Sequence, residues 1–475
     1  MNASSHNALV DPKPQTAMAR LEEFLARRRG ASKPVEDLEA FEKQLHALFA
    51  AAECEAVTAE IARFDVNAPV VLIDAVAHRQ VLRCEETYFS AAGPLRVERS
   101  LYSTRQEGER AVCPMELRAG IVEGRWTPWA ARQATWVVAH LTPQEGEELF
   151  GMMGGMAPSK SSLDRLPKQL SERWEKGRAD FEQALRGAEK IPRGAVIMAV
   201  SLDGVMLPMK DGARAAKRAK ATAQGKRTRG PAGHAEAGCA TLSYHDGDGE
   251  RLATVRLGRM PEHKKATLKK MLASEVAWGL SQKPSLQLVK LADGARDNWS
   301  FLDEELPEGT SIVDFYHAAE HVKSALDACY GETNPKGRAQ FEKLRHVLRA
   351  ERRGVDKVIR SLVHLRNTHR RSRKIASELR YFRRNRRRMC YARWKAKGLP
   401  IGSGVVEAAC KTLVTQRMKR SGMRWPHDGG QAILTFRALA QSDRFERGWN
   451  LLAATYKSKV SLPRNVLAFC PRAPK

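Results

Sequence analysis

Apolar residues recur at three- and four-residue spacing through AMARLEEFLARRR and again from Glu36 to Phe64, which predicts helices at the start of the chain. Asn67-Ala68-Pro69 breaks that period. A period of two follows in RQVLRCEETYF and GPLRVERSLYST, parted by Ser90-Ala91-Ala92-Gly93-Pro94, and this predicts a β-hairpin. Helical spacing returns from Thr127 to about Leu185. Within it, MAPSKSSLDRLPKQL resembles the turn and second helix of a helix-turn-helix unit with Ser161 or Ser162 as N-cap, although an ordinary capped packing helix has the same pattern.

The texture changes at Pro192. AVIMAVSLDGVML reads as a strand buried on both faces and ending at Asp203-Gly204. GCATLSYHDGDGERLATVRLGRM reads as two strands joined at His245-Asp246-Gly247-Asp248-Gly249. KKATLKKMLASEVAWGL is an amphipathic helix, SLQLVKLADGA a fourth strand ending at Asp293-Gly294, and a short helix spans Trp299 to Leu306. TSIVDFYH is a fifth strand, followed by the helix AAEHVKSALDACY. This β-β-β-α-β-α-β-α order predicts a mixed α/β sheet whose first three strands are antiparallel and whose fourth neighbours the first. Residues 330–397 read as helical, and after Leu399-Pro400 a turn through Gly402-Ser403-Gly404 enters a helix bearing Glu407. The expected division is an N-terminal helical region, 1–66; a β-hairpin and helical DNA-binding region, 67–190; sheet segments 191–329 and 398–445 around a basic all-helical insertion, 330–397; and a tail, 446–475.

Charge narrows the partners. The chain of 475 residues carries 81 Lys and Arg against 54 Asp and Glu, a formal +27, which favours a polyanion such as nucleic acid. Between 351 and 400 there are eighteen basic and three acidic residues, interleaved with Tyr381, Phe382, Tyr391 and Trp394. A second basic run, 210–230, has eight basic residues and one acidic. Hydrophobic residues at 43% place the chain among folded proteins, and no run of 18 apolar residues predicts a membrane span. The first residues lack the basic and apolar regions of a signal peptide, and the eight cysteines form no C-x-x-C pair, so a reduced, cytoplasmic location is expected.

Three carboxylates at element ends are the main chemical signal. Asp203 and Asp293 close strands that should lie side by side, and Glu407 enters from a late helix. Hard oxygen donors suit Mg²⁺ or Mn²⁺, and two such ions support in-line phosphoryl transfer. Each Asp-Gly is, taken singly, an ordinary turn. Asp314 competes with Asp293 for the second position, and with His317 it would otherwise orient the site or cap a helix. His317-x-x-Glu320-His321 also matches the H-x-x-E-H pattern of inverted zinc peptidases, which have no use for +27. Glu407 and Lys411 at i, i+4 fit a surface ion pair. The sharper reading puts Glu407 on metal and Lys411, Arg417, Lys419 and Arg420 on DNA phosphates, joined by Arg383, Arg384, Arg386, Arg387, Arg388, Lys217 and Arg218. Trp394 and Trp425 would stack on bases, or else pack in the core.

Taken together, SLDGVMLPMKDG, LADGARDNW, VDFYHAAEHV and GSGVVEAACKTLVTQRMKRSGMRW resemble bacterial insertion-sequence transposases of the Kra-type group, relatives of the Mutator-like DDE transposases. The segment CPMELRAGIVEGRWTPWAARQATWVVAHLTPQEGEELFGMMGGMAPSKSSLDRL is similar as well, so the likeness runs from about 84 to 440. It implies a ribonuclease H-like catalytic domain interrupted by an all-helical insertion, with Asp203, Asp293 and Glu407 as the catalytic acids. Asp314 and His317 match an auxiliary Asp-x-x-His motif, and members differ over which Asp is second. The resemblance further implies recognition of terminal inverted repeats, Mg²⁺-dependent cleavage at double-stranded DNA ends, joining of the 3′-hydroxyl to target DNA, and assembly as a homo-oligomer. The competing expectation is a DNA-binding protein derived from a transposase that does not cut.

Overall fold

A computed structural model describes residues 15–104, 110–210, 220–226, 233–369, 372–464 and 466. The chain divides into two compact units, one of residues up to Gln169 together with those from Trp449 on, the other Leu170–Gly448.

In the first unit, α1 (Ala17–Arg29) and α2 (Leu38–Ala62) begin at Thr16 and Asp37, whose side chains accept the Ala19 and Ala40 N–H groups. The two helices pack through Phe24 against Phe41, ring centroids 5.5 Å apart. The expected hairpin is present as β2 (Val76–Phe89) and β3 (Pro94–Ser103). Two short strands that the pattern did not reveal extend it: β1 (Val70–Ile73) and β9 (Val460–Ser461), giving the order β3-β2-β1-β9. β1 turns into β2 through Asp74 and Ala75, both with positive φ (46° and 70°), the two-residue turn that suits strand twist. Helices α3 (Pro114–Ala119), α4 (Pro128–His140) and α5 (Pro143–Met153) follow, and α5 opens on a capping box between Thr142 and Glu145. α6 (Lys160–Lys176) starts ahead of both proposed caps, and its first turn is capped by Ser159, whose Oγ accepts the Ser162 N–H at 3.3 Å.

The second unit is built on β4 (Ile197–Pro208), β5 (His234–His245), β6 (Arg251–Arg259), β7 (Gln287–Ala292) and β8 (Thr310–Val313). Their order is β6-β5-β4-β7-β8, with β4, β5 and β6 antiparallel and β7 and β8 parallel to β4. The mixed α/β architecture and the adjacency of the first and fourth strands agree with the sequence pattern. α8 (Ala266–Gln282), α9 (Arg296–Glu304) and α10 (Phe315–Tyr330) make the crossovers. The expected insertion consists of α11 (Pro335–Ala350), α12 (Gly354–Thr368), α13 (Arg373–Asn385) and α14 (Tyr391–Lys395). Its buried side chains, among them Leu348, Leu362, Leu379 and Phe382, share one hydrophobic cluster with Val200, Val289 and Ile312 of the sheet. Helix α15 (Gly404–Ala409) then precedes α16 (His427–Gln441) and α17 (Phe445–Ala454).

The boundary expected at 190 is displaced. Residues 170–190, including α7 (Arg178–Gly187), belong with the larger sheet, because Arg444 binds Glu189 and Glu275 together and Arg259 pairs with Glu175. Arg444 is 3% exposed, with N···O distances of 2.6–2.8 Å. Removing one partner of such a buried network strands the others without water. Arg444→Ala is expected to destabilise the second unit by about 3–5 kcal/mol, read as a lowered urea midpoint.

Candidate functional site

Strand register assembles the acidic residues. The β4–β7 ladder pairs Ser201 with Leu291, and the β7–β8 ladder pairs Ala292 with Val313. Continuing both registers places Asp203, Asp293 and Asp314 at one level on three neighbouring strands, which lie about 4.8 Å apart. Asp203 does not end its strand, as the Asp-Gly pair suggested. β4 runs on to Pro208 because β5 stays paired with it, Asp203 opposite Cys239, while its pairing with β7 stops at Ser201. Asp203 therefore marks the point where the parallel half of the sheet opens.

Asp203 Oδ1 accepts the Gly204 N–H at 2.7 Å, and Oδ2 accepts from Cys410 Sγ at 3.6 Å. Burial pushes its carboxyl above the ordinary carboxylate range, and the negative charge of Asp293 pushes the same way. Asp293 follows β7 directly. Its Oδ1 accepts the Ala295 N–H and Asn298 Nδ2, both at 3.1 Å, and its carbonyl accepts Trp299 Nε1 at 2.6 Å. This local turn opens α9 and fixes the carboxylate. Both aspartates line a cleft of about 640 Å³ that also presents Glu236, Lys265, Lys269 and Asn298. Lys265 Nζ bridges Glu236 Oε1 at 3.1 Å and the Asp203 carbonyl at 3.5 Å.

Asp314 is different in kind. It is fully buried, with Oδ1 accepting the His317 N–H at 2.7 Å as the N-cap of α10 and Oδ2 accepting the Ser403 N–H. The Phe315 N–H to Ile401 carbonyl bond, 2.9 Å, secures the same approach. Gly402 lets the chain pass close to the Tyr316 ring, which a Cβ there would approach within 2.9 Å and displace. Ser403 Oγ in turn donates to Glu407 Oε1 at 2.9 Å. The helix thus runs from Ser403, bonded to Asp314, to Cys410, bonded to Asp203, and carries the exposed Glu407 across the row. A π-helical stretch, Cys410–Thr415, continues it, a feature common at functional sites and invisible in the sequence pattern.

Ligand atoms of Asp314, His317 and Glu407 lie within 4.8 Å of one another, so the structure groups Glu407 with the Asp-x-x-His pair, and among the described residues no such three-ligand cluster joins it to Asp203 and Asp293. The H-x-x-E-H reading fails on geometry. His321 Nδ1 binds Glu378 on α13 and its ring stacks on Tyr381 at 3.6 Å, which draws it into the helical insertion and out of that cluster.

The proposed DNA contacts separate into two classes. Lys411, Lys419, Arg420, Arg383, Arg384, Arg386 and Arg387 are exposed, and Arg388 is half-buried. Arg384 Nη2 bonds the Gly294 carbonyl at 2.9 Å, Arg386 pairs with Asp356 at 2.6 Å, and Arg388 pairs with Asp303 while lying 4.2 Å over the Trp299 ring. Arg417 is a correction: at 2% exposure it lies 5.5 Å over the Trp425 ring and does not face a phosphate. Trp425 is another, because its Nε1 donates to the Met418 carbonyl at 2.8 Å and its ring packs on the cluster around Leu207 and Met418. Trp394, with Tyr381, Phe382 and Tyr391, is core. Lys217 and Arg218 lie outside the described residues.

Sequence reasoning missed Ser403, Asn298 and Cys410. Ser403 was within the noted Gly-Ser-Gly turn, and Asn298 follows Asp293 by five residues, one helical turn beyond the Asx turn; Cys410 carried no signal.

One consequence is measurable without a substrate. A carboxyl whose folded-state pKa is raised loses its favourable contribution as pH rises through that value. In chelator, Asp203→Asn is therefore expected to melt higher than the parent at pH 7, with the gain shrinking as pH falls and gone below about pH 4. A variant that melts equally at both pH values contradicts the desolvation of Asp203. The chain matches no protein-family profile and no curated protein, so the chemistry of these residues carries the functional reading.

Proposed function

We propose that this chain is a DDE transposase with a ribonuclease H-like catalytic unit, which cleaves DNA strands at the ends of a mobile element and joins the 3′-hydroxyl to target DNA. The observation that carries this reading is the row Asp203, Asp293 and Asp314 beneath a helix that delivers Glu407. The strand order, three antiparallel strands followed by two parallel ones with a helical insertion before the Glu-bearing helix, supports it, as do the sequence resemblance and the charge of +27.

The donor set fits a hard divalent cation. Asp203 and Asp293 offer carboxylate oxygens to an open cleft, Glu407 adds an exposed carboxylate beside Asp314 and His317, and Asp203 bears a desolvated charge that a cation would relieve. These three would hold Mg²⁺ or Mn²⁺, which when bound activates the attacking oxygen and stabilises the leaving one. Asp314, dry and already holding two backbone N–H groups, acts as the positioning residue that seats Ser403 and hence Glu407. Lys265 and Lys269 in the cleft wall would draw in the phosphate backbone. Work on double-stranded DNA as a homo-oligomer in a bacterial cytoplasm follows from the same reading; among the described residues no helix is long and apolar enough to cross a membrane.

The test is nicking and strand joining on supercoiled plasmid carrying the element's own ends, with Mg²⁺ or Mn²⁺. Asp203→Asn, Asp293→Asn and Glu407→Gln are expected to fall to the metal-free background, and Asp314→Asn to retain activity reduced about 10–100-fold. Equal abolition in Asp314→Asn with activity kept in Asp293→Asn would reassign the second ligand. Binding without cleavage by the parent protein would leave a non-catalytic DNA-binding protein.

A further inference from the structure

We infer that the seam between α9, α13 and α14 is a second polyanion site, which takes the DNA backbone at a distance from the carboxylates. This deepens the proposed function and rests on DNA being the substrate.

The seam contains two adjoining clefts. The first, about 270 Å³, begins at Gly294 beside Asp293 and is walled by Trp299, Arg384 and Arg388. The second, about 530 Å³, shares Asp303, Arg384 and Arg388 with it and continues to Arg387, Arg393 and Lys397. It reaches Gln287 and Thr310, the first residues of β7 and β8, whereas Asp293 and Asp314 follow their last. The six residues of β7 span roughly 20 Å at 3.3 Å each. That equals about six base pairs of duplex at 3.4 Å per step.

The cations in this seam divide by partner. Arg388 is neutralised by Asp303 and held flat on Trp299, and Arg384 is held by the Gly294 carbonyl. Both are structural supports. Arg387, Arg393 and Lys397 are exposed, and among the described residues no ion pair engages any of them. Three like charges converging on one concave surface repel one another, and an arriving anion removes that cost. The Thr310 hydroxyl on the edge strand, which accepts from Gln287 Nε2 at 3.4 Å and keeps its own proton, supplies a neutral donor in the same wall, as phosphate recognition uses, whereas Ser311 Oγ is committed to Asp303 Oδ1 at 3.0 Å. A duplex leaving the carboxylates along α9 would meet these groups roughly one half-turn later.

The experiment is fluorescence anisotropy on the full chain, in chelator, with a labelled duplex of about 30 base pairs over a salt series. Arg387→Ala/Arg393→Ala/Lys397→Ala is compared with a charge-matched control on α11, Lys336→Ala/Arg338→Ala/Lys343→Ala. All six side chains are exposed, so neither variant should disturb folding, and matching urea midpoints verify this. The cleft variant is expected to lose 2 to 3 from the magnitude of the log K against log salt slope, about 0.9 for each phosphate contact. The control should change it by less than one. Equal slopes in the two variants would overturn the inference, as would complete displacement of the duplex by inorganic tripolyphosphate at equal phosphate concentration, which would mark a small-anion site. Plasmid nicking is scored in parallel. A reduced slope with no metal-dependent nicking by the parent keeps the seam as a DNA surface and removes the phosphoryl-transfer reading; nicking with unchanged slope does the reverse.

Discussion

One buried carboxylate decides the geometry of the centre. Asp314 has no contact with water, and its oxygens are satisfied by the backbone N–H groups of His317 and of Ser403, the latter 89 residues from Asp314 in sequence. A charge removed from water requires such partners, so the two chain segments cannot separate without exposing or orphaning it. Because Ser403 also bonds Glu407, the tie that satisfies Asp314 also aims the glutamate. At the other end, Cys410 on Asp203 prevents the same helix from swinging. Two side-chain anchors therefore convert an insertion of several helices into a fixed crossing above the row of aspartates.

The insertion has two faces with different physical roles. Its apolar and aromatic residues, including Tyr391 with its hydroxyl on the Val313 carbonyl at 2.9 Å, complete the core of the sheet. Burying them stabilises the second unit at a rate of about 25 cal/mol per Å². Its arginines remain outside, and several are spent on local carboxylates. The division explains why charge density alone is a poor guide to contact: of five consecutive-looking basic residues from Arg383 to Arg388, some are braces and others are available.

Much of this was legible in the chain. The buried strand IMAVSL, the alternating hairpin and the helix periods survive translation into structure because burial pattern and element type are directly linked. The four acids and His317 were recognisable because carboxylates beside glycine or at helix starts are conspicuous. What escaped notice depended on partners far along the chain. β1 and β9 are too short to declare a period; β1 is held by β2, and β9 exists through its pairing with β1. The prolonged β4 depends on β5, the inward turn of Arg417 depends on Trp425, and the boundary near 170 depends on an arginine more than 250 residues from Glu189. Local pattern holds no information about such matches.

The length of the Asp314–Ser403 connection has a temporal meaning. Closing a loop of 89 residues costs chain entropy before its contacts return anything, so this pairing belongs to the late events of folding. A ribosome releasing roughly 5–20 residues per second exposes the aspartate strands several seconds before Glu407 emerges. During that interval the chain carries the three aspartates and lacks Glu407. The crossing of α15 over the aspartate row can form only after the segment bearing Ser403 and Glu407 has been made.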